Sequence, residues 1–175
     1  AYTDAFALSA MPLIAHNVRT ACADPENGPA RAALMLAAAQ AGMAFSNASV
    51  ALVHGMSRPI GAHFHVAHGL SNAMLLPAVT AYSTQAAPER YATCARVMDW
   101  ATTGDSDAVA CGKLVDGLRR LNDDLKVPTP SALGHKSDTD MFALMAQQAL
   151  ASGSPQNNPK VPDADDIIAL YGEVW

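Results

Sequence analysis

Leu52-Val-His-Gly-Met-Ser-Arg-Pro-Ile-Gly-Ala-His-Phe-His-Val-Ala-His-Gly-Leu70 places two histidines, His54 and His68, fourteen residues apart. A long apolar, alanine-rich run leads into His54, and a second apolar run follows His68. Pro59 and Gly61 stand between them, and both residue types interrupt helices. The stretch reads as helix, tight connection, helix, with one imidazole on each side of the break. That layout aims two neutral imidazoles at one metal ion, although two ligands are too few for a tight site. Spacing alone is weak evidence, because fourteen residues of unbroken helix also return to nearly the same face at about 100° per residue. Without further context the pair reads more simply as two polar, half-buried side chains.

Outward from this stretch the chain reads as helices joined by short breakers. Thr3 or Asp4 caps a first helix to about Cys22, with Pro12 implying a kink or a late start. Asp24-Pro-Glu-Asn-Gly28 is a turn, and Pro29 suits the opening of a long helix. Leu34, Ala38, Ala41 and Phe45 recur at helical spacing, and Leu36, Ala37 and Met43 widen the apolar surface. A helix apolar on most faces is expected at the buried centre. Further helices are expected from about Gly69 to Tyr82 with a bend at Pro77, from Pro88 through Trp100, and from an Asp105 or Ser106 cap to Asp124. Two more run from a Ser137 or Asp138 cap to Ala151, and from Asp163 to the terminal Trp175. The expected fold class is all-α, a bundle of about seven helices with short connections.

Composition supports this. Half of the 175 residues are hydrophobic, enough for a substantial core in one domain's length of chain. Alanine is abundant, which favours close-packed helices, while aromatics and Val/Ile runs are scarce, which argues against a sheet. The net charge of −5 and the lack of a basic cluster exclude a nucleic-acid partner. No apolar run approaches bilayer-spanning length and no signal peptide is visible, so no membrane partner is expected. Cys22, Cys94 and Cys111 stand singly, as expected of reduced, mostly buried thiols in a cytoplasmic protein.

The central block resembles the iron-containing (group III) alcohol dehydrogenases, specifically their C-terminal helical domain, which is dehydroquinate synthase-like. Gly42-Met-Ala-Phe-Ser-Asn47 before His54 and His68-Gly-Leu-Ser-Asn-Ala-Met-Leu-Leu-Pro77 after it carry the family signature. Weaker similarity covers Tyr91 to Met98, Lys126-Val-Pro128, Asn158-Pro159-Lys160 and Asp165-Asp-Ile-Ile-Ala-Leu-Tyr171 to Trp175. The resemblance implies a divalent metal, Fe²⁺ or Zn²⁺, held by one Asp and three His. His54 and His68 match the last two of these ligands. The Asp and the first His fall before the region where this chain opens. The chain, 1–175, is therefore expected to be the metal-binding C-terminal part of a longer protein. Its NAD or NADP would bind mainly to an N-terminal nucleotide-binding domain, since no Gly-x-Gly-x-x-Gly occurs here.

The resemblance also assigns neighbouring residues. Phe45 reads alone as a core aromatic, but by resemblance it borders the nicotinamide ring as a cofactor-binding residue. Arg58 stands where many relatives carry a second His in the catalytic cleft. A guanidinium cannot shuttle a proton at neutral pH. Arg58 is thus a candidate catalytic-cleft residue that binds an anionic substrate or cofactor group, or it is a structural ion-pair partner. His63 and His65 suggest a rival metal cluster, but lack nearby carboxylates and fall outside the family's ligand positions. His16 and His135 have no supporting context and read as surface residues. The implied activity is metal- and NAD(P)-dependent interconversion of a small alcohol and its aldehyde or ketone. The alternatives are an inactive free-standing helical module of the same fold, or the maleylacetate and glycerol dehydrogenase branch. An uncovered cleft wall is also expected to drive homo-oligomer formation.

Overall fold

The computed structural model describes residues 2–175, and the described residues hold eight α-helices and no strand. The helices are α1 (Tyr2–Ala23), α2 (Gly28–Ala48), α3 (Leu52–Phe64), α4 (His68–Thr84), α5 (Pro88–Val97), α6 (Asp107–Asp124), α7 (Thr139–Ala151) and α8 (Ala164–Val174). Short 3₁₀ turns occupy Ser131–Leu133 and Ser154–Asn157. No single helix is long and apolar enough to cross a membrane.

The chain divides into two compact units. The first takes the chain up to Ser49 together with Pro88–Gly117, and the second takes Val50–Ala87 with Leu118–Trp175. In the first unit α1 and α2 pack as a hairpin, with Asn27 capping α2 by accepting from the Ala30 amide. Its buried positions are mostly alanine, including Ala10, Ala15, Ala30, Ala37 and Ala44, and small residues bring helix axes close together. Lys113 pairs with Asp105 at 2.8 Å and Arg96 with Asp107 at 2.9 Å, clasping the turn between α5 and α6. α1 starts at Tyr2, so Thr3 and Asp4 lie in its first turn, and Pro12 is accommodated inside the helix.

The second unit holds the apolar core. Leu52, Met56 and Ile60 of α3 meet Leu75 and Val79 of α4, Met145 and Ala149 of α7, and Ile167 and Tyr171 of α8. The buried Tyr171 hydroxyl donates to the Met56 carbonyl at 2.7 Å, tying α8 to α3. Asp138 caps α7, and Asp163 caps α8 in a reciprocal capping box with Asp166.

Three expectations are corrected. Pro59 and Gly61 do not break the chain: both lie within α3. The proline costs one backbone hydrogen bond and about 3 kcal/mol. Burying Leu52, Met56 and Ile60 on the same helix returns about 1.5–3 kcal/mol each, so the helix continues. The break falls at His65-Val66-Ala67, where His65 takes a left-handed conformation (φ 57°) and its amide bonds the Gly61 carbonyl. Second, the run into His54 is not one helix. α2 ends at Ala48, Ser49 turns at φ 70°, and His54 belongs to a new helix, which accounts for eight helices in place of seven. Third, α2 is not at a buried centre. Met35, Leu36, Met43 and Phe45 are exposed, because the small residues Ala30, Ala37 and Ala44 form its packed seam and the larger side chains point away from it. Cys22 is likewise exposed, while Cys94 is half-buried and Cys111 buried; all three are free thiols.

Candidate metal centre

Both histidines sit in the opening turns of their helices, His54 in α3 and His68 as the first residue of α4. Each is followed by glycine and, three residues on, by a buried serine: His54-Gly-Met-Ser57 and His68-Gly-Leu-Ser71. The serine hydroxyls donate back to the histidine carbonyls, Ser57 to His54 at 3.2 Å and Ser71 to His68 at 2.9 Å. This repeated device satisfies two buried hydroxyls and fixes the backbone that carries each ring.

α3 and α4 pack together and bring the two rings close, with centroids 5.2 Å apart and planes tilted by 58°. Two imidazoles bound at about 2.1 Å to one tetrahedral ion would have ring centres about 5 Å apart. The separation of the two ring centres matches that value. His54 is half-buried and His68 exposed, so the site opens on one side. Burial, then the neighbouring His68 and Arg58, hold His54 below its ordinary pKa. Its ring is thus neutral at neutral pH with a lone pair to offer. Among the described residues no group of three or more His, Cys, Asp or Glu gathers as a metal site.

Asn72 and Ser154, which carry no assignment from the sequence, make contacts beside the pair and Arg58. The Asn72 amide nitrogen lies 3.1 Å from His68 Nε2, one helical turn along α4, while Asn72 Oδ1 is buried without a partner among the described residues. The His68-x-x-x-Asn72 spacing was the available signal for this contact. Arg58 lies one turn after His54 on α3, and its Nη1 donates to Ser154 Oγ at 3.1 Å. Ser154 is buried in the 3₁₀ turn that packs on α3 at Gly55, where a Cβ would stand 2.9 Å from Pro155 Cγ. No sequence pattern linked Ser154 to Arg58, since 96 positions separate them.

The other histidines lie apart from the pair. His63 Nε2 is bonded to Gln148 Oε1 at 2.9 Å, and His65 is the exposed C-cap of α3. His16 is exposed beside Asp99, and His135 is half-buried with its ring 4.7 Å from that of Phe64. Phe45 is exposed on α2, in the other unit.

A family profile described as Fe-containing alcohol dehydrogenase family, C-terminal, matches residues 1–175. The chain is 37% identical over 174 residues to a 1,3-propanediol dehydrogenase of Klebsiella pneumoniae, covering 99% of this chain and 44% of that protein. It is 35% identical over 175 residues to a lactaldehyde reductase of Escherichia coli strain K12, covering 100% and 45%. A crystal structure of a 1,3-propanediol oxidoreductase superposes with a TM-score of 0.94 at 37% identity, over 99% of this chain and 45% of that one. The chain thus spans less than half the length of the relatives it matches. With this match along its whole length, and an all-helical fold shared with a solved relative, the chain belongs to the Fe-containing alcohol dehydrogenase family and corresponds to its C-terminal domain.

Proposed function

We propose that this chain supplies the metal-binding half of a nicotinamide-dependent oxidoreductase that interconverts a small alcohol and its aldehyde or ketone. The observation that carries the reading is the approach of the His54 and His68 rings to 5.2 Å from two separate helices. The names of the similar proteins, a propanediol dehydrogenase and a lactaldehyde reductase, support a short alcohol or hydroxyaldehyde as substrate. The relatives' greater length supports further metal ligands and an NAD or NADP domain supplied by polypeptide beyond these 175 residues.

His54 and His68 would hold a divalent ion, Fe²⁺ by family usage or Zn²⁺ by ligand type. When bound, that ion supplies Lewis acidity at the substrate oxygen. The residues of this chain present, orient and screen. Ser57 and Ser71 fix the ring-bearing turns, and Asn72 holds the His68 ring. His54 stays neutral because it is half-buried, so it offers a lone pair without first losing a proton. By family resemblance Phe45, whose aromatic ring is exposed, would border the nicotinamide ring.

The test is nicotinamide reduction, followed at its absorbance band, on the iron-loaded full-length protein and on this chain side by side. The full-length protein should oxidise a short primary or vicinal alcohol, and this chain alone should not. The orientation that a second domain adds is worth roughly 7–11 kcal/mol of barrier. Turnover by this chain alone, or none by the full-length protein across a panel of short alcohols, would contradict the reading.

A further inference from the structure

The segments of this chain that carry the site contain no acid. Between Glu26 and Glu89 the sequence has no Asp or Glu, and none lies between Asp140 and Asp163. These segments form α3, α4 and the Ser154–Asn157 turn, and all but the opening of α7. In a chain of net charge −5, the elements that carry His54, His68 and Arg58 are thus without negative charge. Arg58 has no carboxylate within ion-pair distance among the described residues, although Arg90, Arg96, Lys113 and Arg119 each do. Its one hydrogen bond is to the neutral Ser154 hydroxyl. That bond uses one of the five guanidinium N–H groups and fixes the head in place. The structural ion pair considered from the sequence is therefore not formed.

An exposed guanidinium, anchored by one nitrogen and one helical turn from the metal pair, is a receptor for an oxyanion. Residues four apart on a helix have Cβ atoms about 5–6 Å apart. Arg58 and His54 thus share one face of α3, and an oxyanion held by Arg58 lies on the side of the helix that carries the histidine. Building on the oxidoreductase reading above, we propose that Arg58 selects substrates bearing a carboxylate, sulfonate or phosphate beside the reacting carbonyl or alcohol. Ser154 positions the guanidinium, and no carboxylate among the described residues pairs with it, which leaves its charge for the incoming group.

The experiment compares succinic semialdehyde with butanal as substrates of the iron-loaded full-length protein. The wild type should prefer the anionic aldehyde in kcat/KM. Arg58→Ala should lower the ratio of the two kcat/KM values by about ten- to a hundred-fold, mainly through KM of the anion, as loss of a charge-assisted bond predicts. Arg58→Lys should keep part of the preference, and Ser154→Ala should reduce it. The ratio is insensitive to a general loss of activity. A second measurement is independent of turnover: calorimetric binding of succinate to the metal-free protein, which Arg58→Ala should weaken by a similar factor. An unchanged ratio together with unchanged succinate binding would overturn the proposal. So would an effect of Arg58→Ala confined to KM for NAD(P)H, which would assign the guanidinium to a cofactor phosphate. If neither aldehyde is turned over but succinate binding still depends on Arg58, the oxidoreductase reading falls and the anion site stands.

Discussion

At the scale of single residues, one hydroxyl and one carboxylate show how local contacts hold the two units. Tyr171 is fully buried, and its hydroxyl has the Met56 carbonyl as partner, with burial raising its pKa. Replacing it by Phe keeps the ring in the core and removes the hydrogen bond, so Tyr171→Phe should cost about 1 kcal/mol in denaturant unfolding. Asp105 is held at a pKa of about 2, first by its bond to Lys113 and then by the Thr102 amide. A carboxylate with a depressed folded-state pKa stabilises above its ordinary value near 3.8 and loses that effect as pH falls toward 2. The stability difference between wild type and Asp105→Asn should therefore be present at pH 6 and vanish by about pH 2, and unfolding midpoints at the two pH values check it. His65 carries its own cost as a left-handed residue that ends α3. His65→Gly should raise stability by roughly 0.5–1 kcal/mol, read from the same unfolding curves, because glycine adopts that conformation without strain.

At the scale of elements, the close approach that seats Arg58 is also its weak point. A Cβ on Gly55 would meet Pro155 Cγ at 2.9 Å and Cδ at 3.0 Å, and a proline ring has little room to give. Gly55→Ala should displace the Ser154–Asn157 turn, cost about 1–3 kcal/mol in thermal unfolding and loosen the Arg58–Ser154 bond. The sequence told much about the elements. Asp138 and Asp163 read correctly as caps, and helical spacing with abundant alanine pointed to the all-helical fold. It misled where tertiary packing outweighed local preference. Pro59 and Gly61 look like breakers, but the buried face of Leu52, Met56 and Ile60 carries α3 through them. The true breaks, at Ser49 and His65, lie at residues without a breaker's side chain, and only their positive φ marks them. The flanking motif singled out His54 and His68, whose rings approach to 5.2 Å, and the repeated His-Gly-x-Ser was present to be read. The Ser154 contact was not legible, because it depends on a turn that packs on α3 from far along the chain.

At the scale of the whole molecule, the chain brings two imidazoles from separate helices to 5.2 Å, and no group of three or more His, Cys, Asp or Glu gathers among its described residues. Neutral imidazoles alone bring no negative charge to a divalent ion, so this chain by itself should bind metal weakly and the full-length protein tightly. The central claim is that His54 and His68 are metal ligands, and the most direct measurement is the iron content of the full-length protein after anaerobic loading and dialysis. The wild type should retain about one iron per chain, and His63→Ala and His65→Ala should retain the same. His54→Ala and His68→Ala should each fall to about a tenth of that or less, since a lost ligand costs at least as much as a lost supporting contact. Full iron content in either His54→Ala or His68→Ala, or its loss in His63→Ala or His65→Ala alone, would contradict the account.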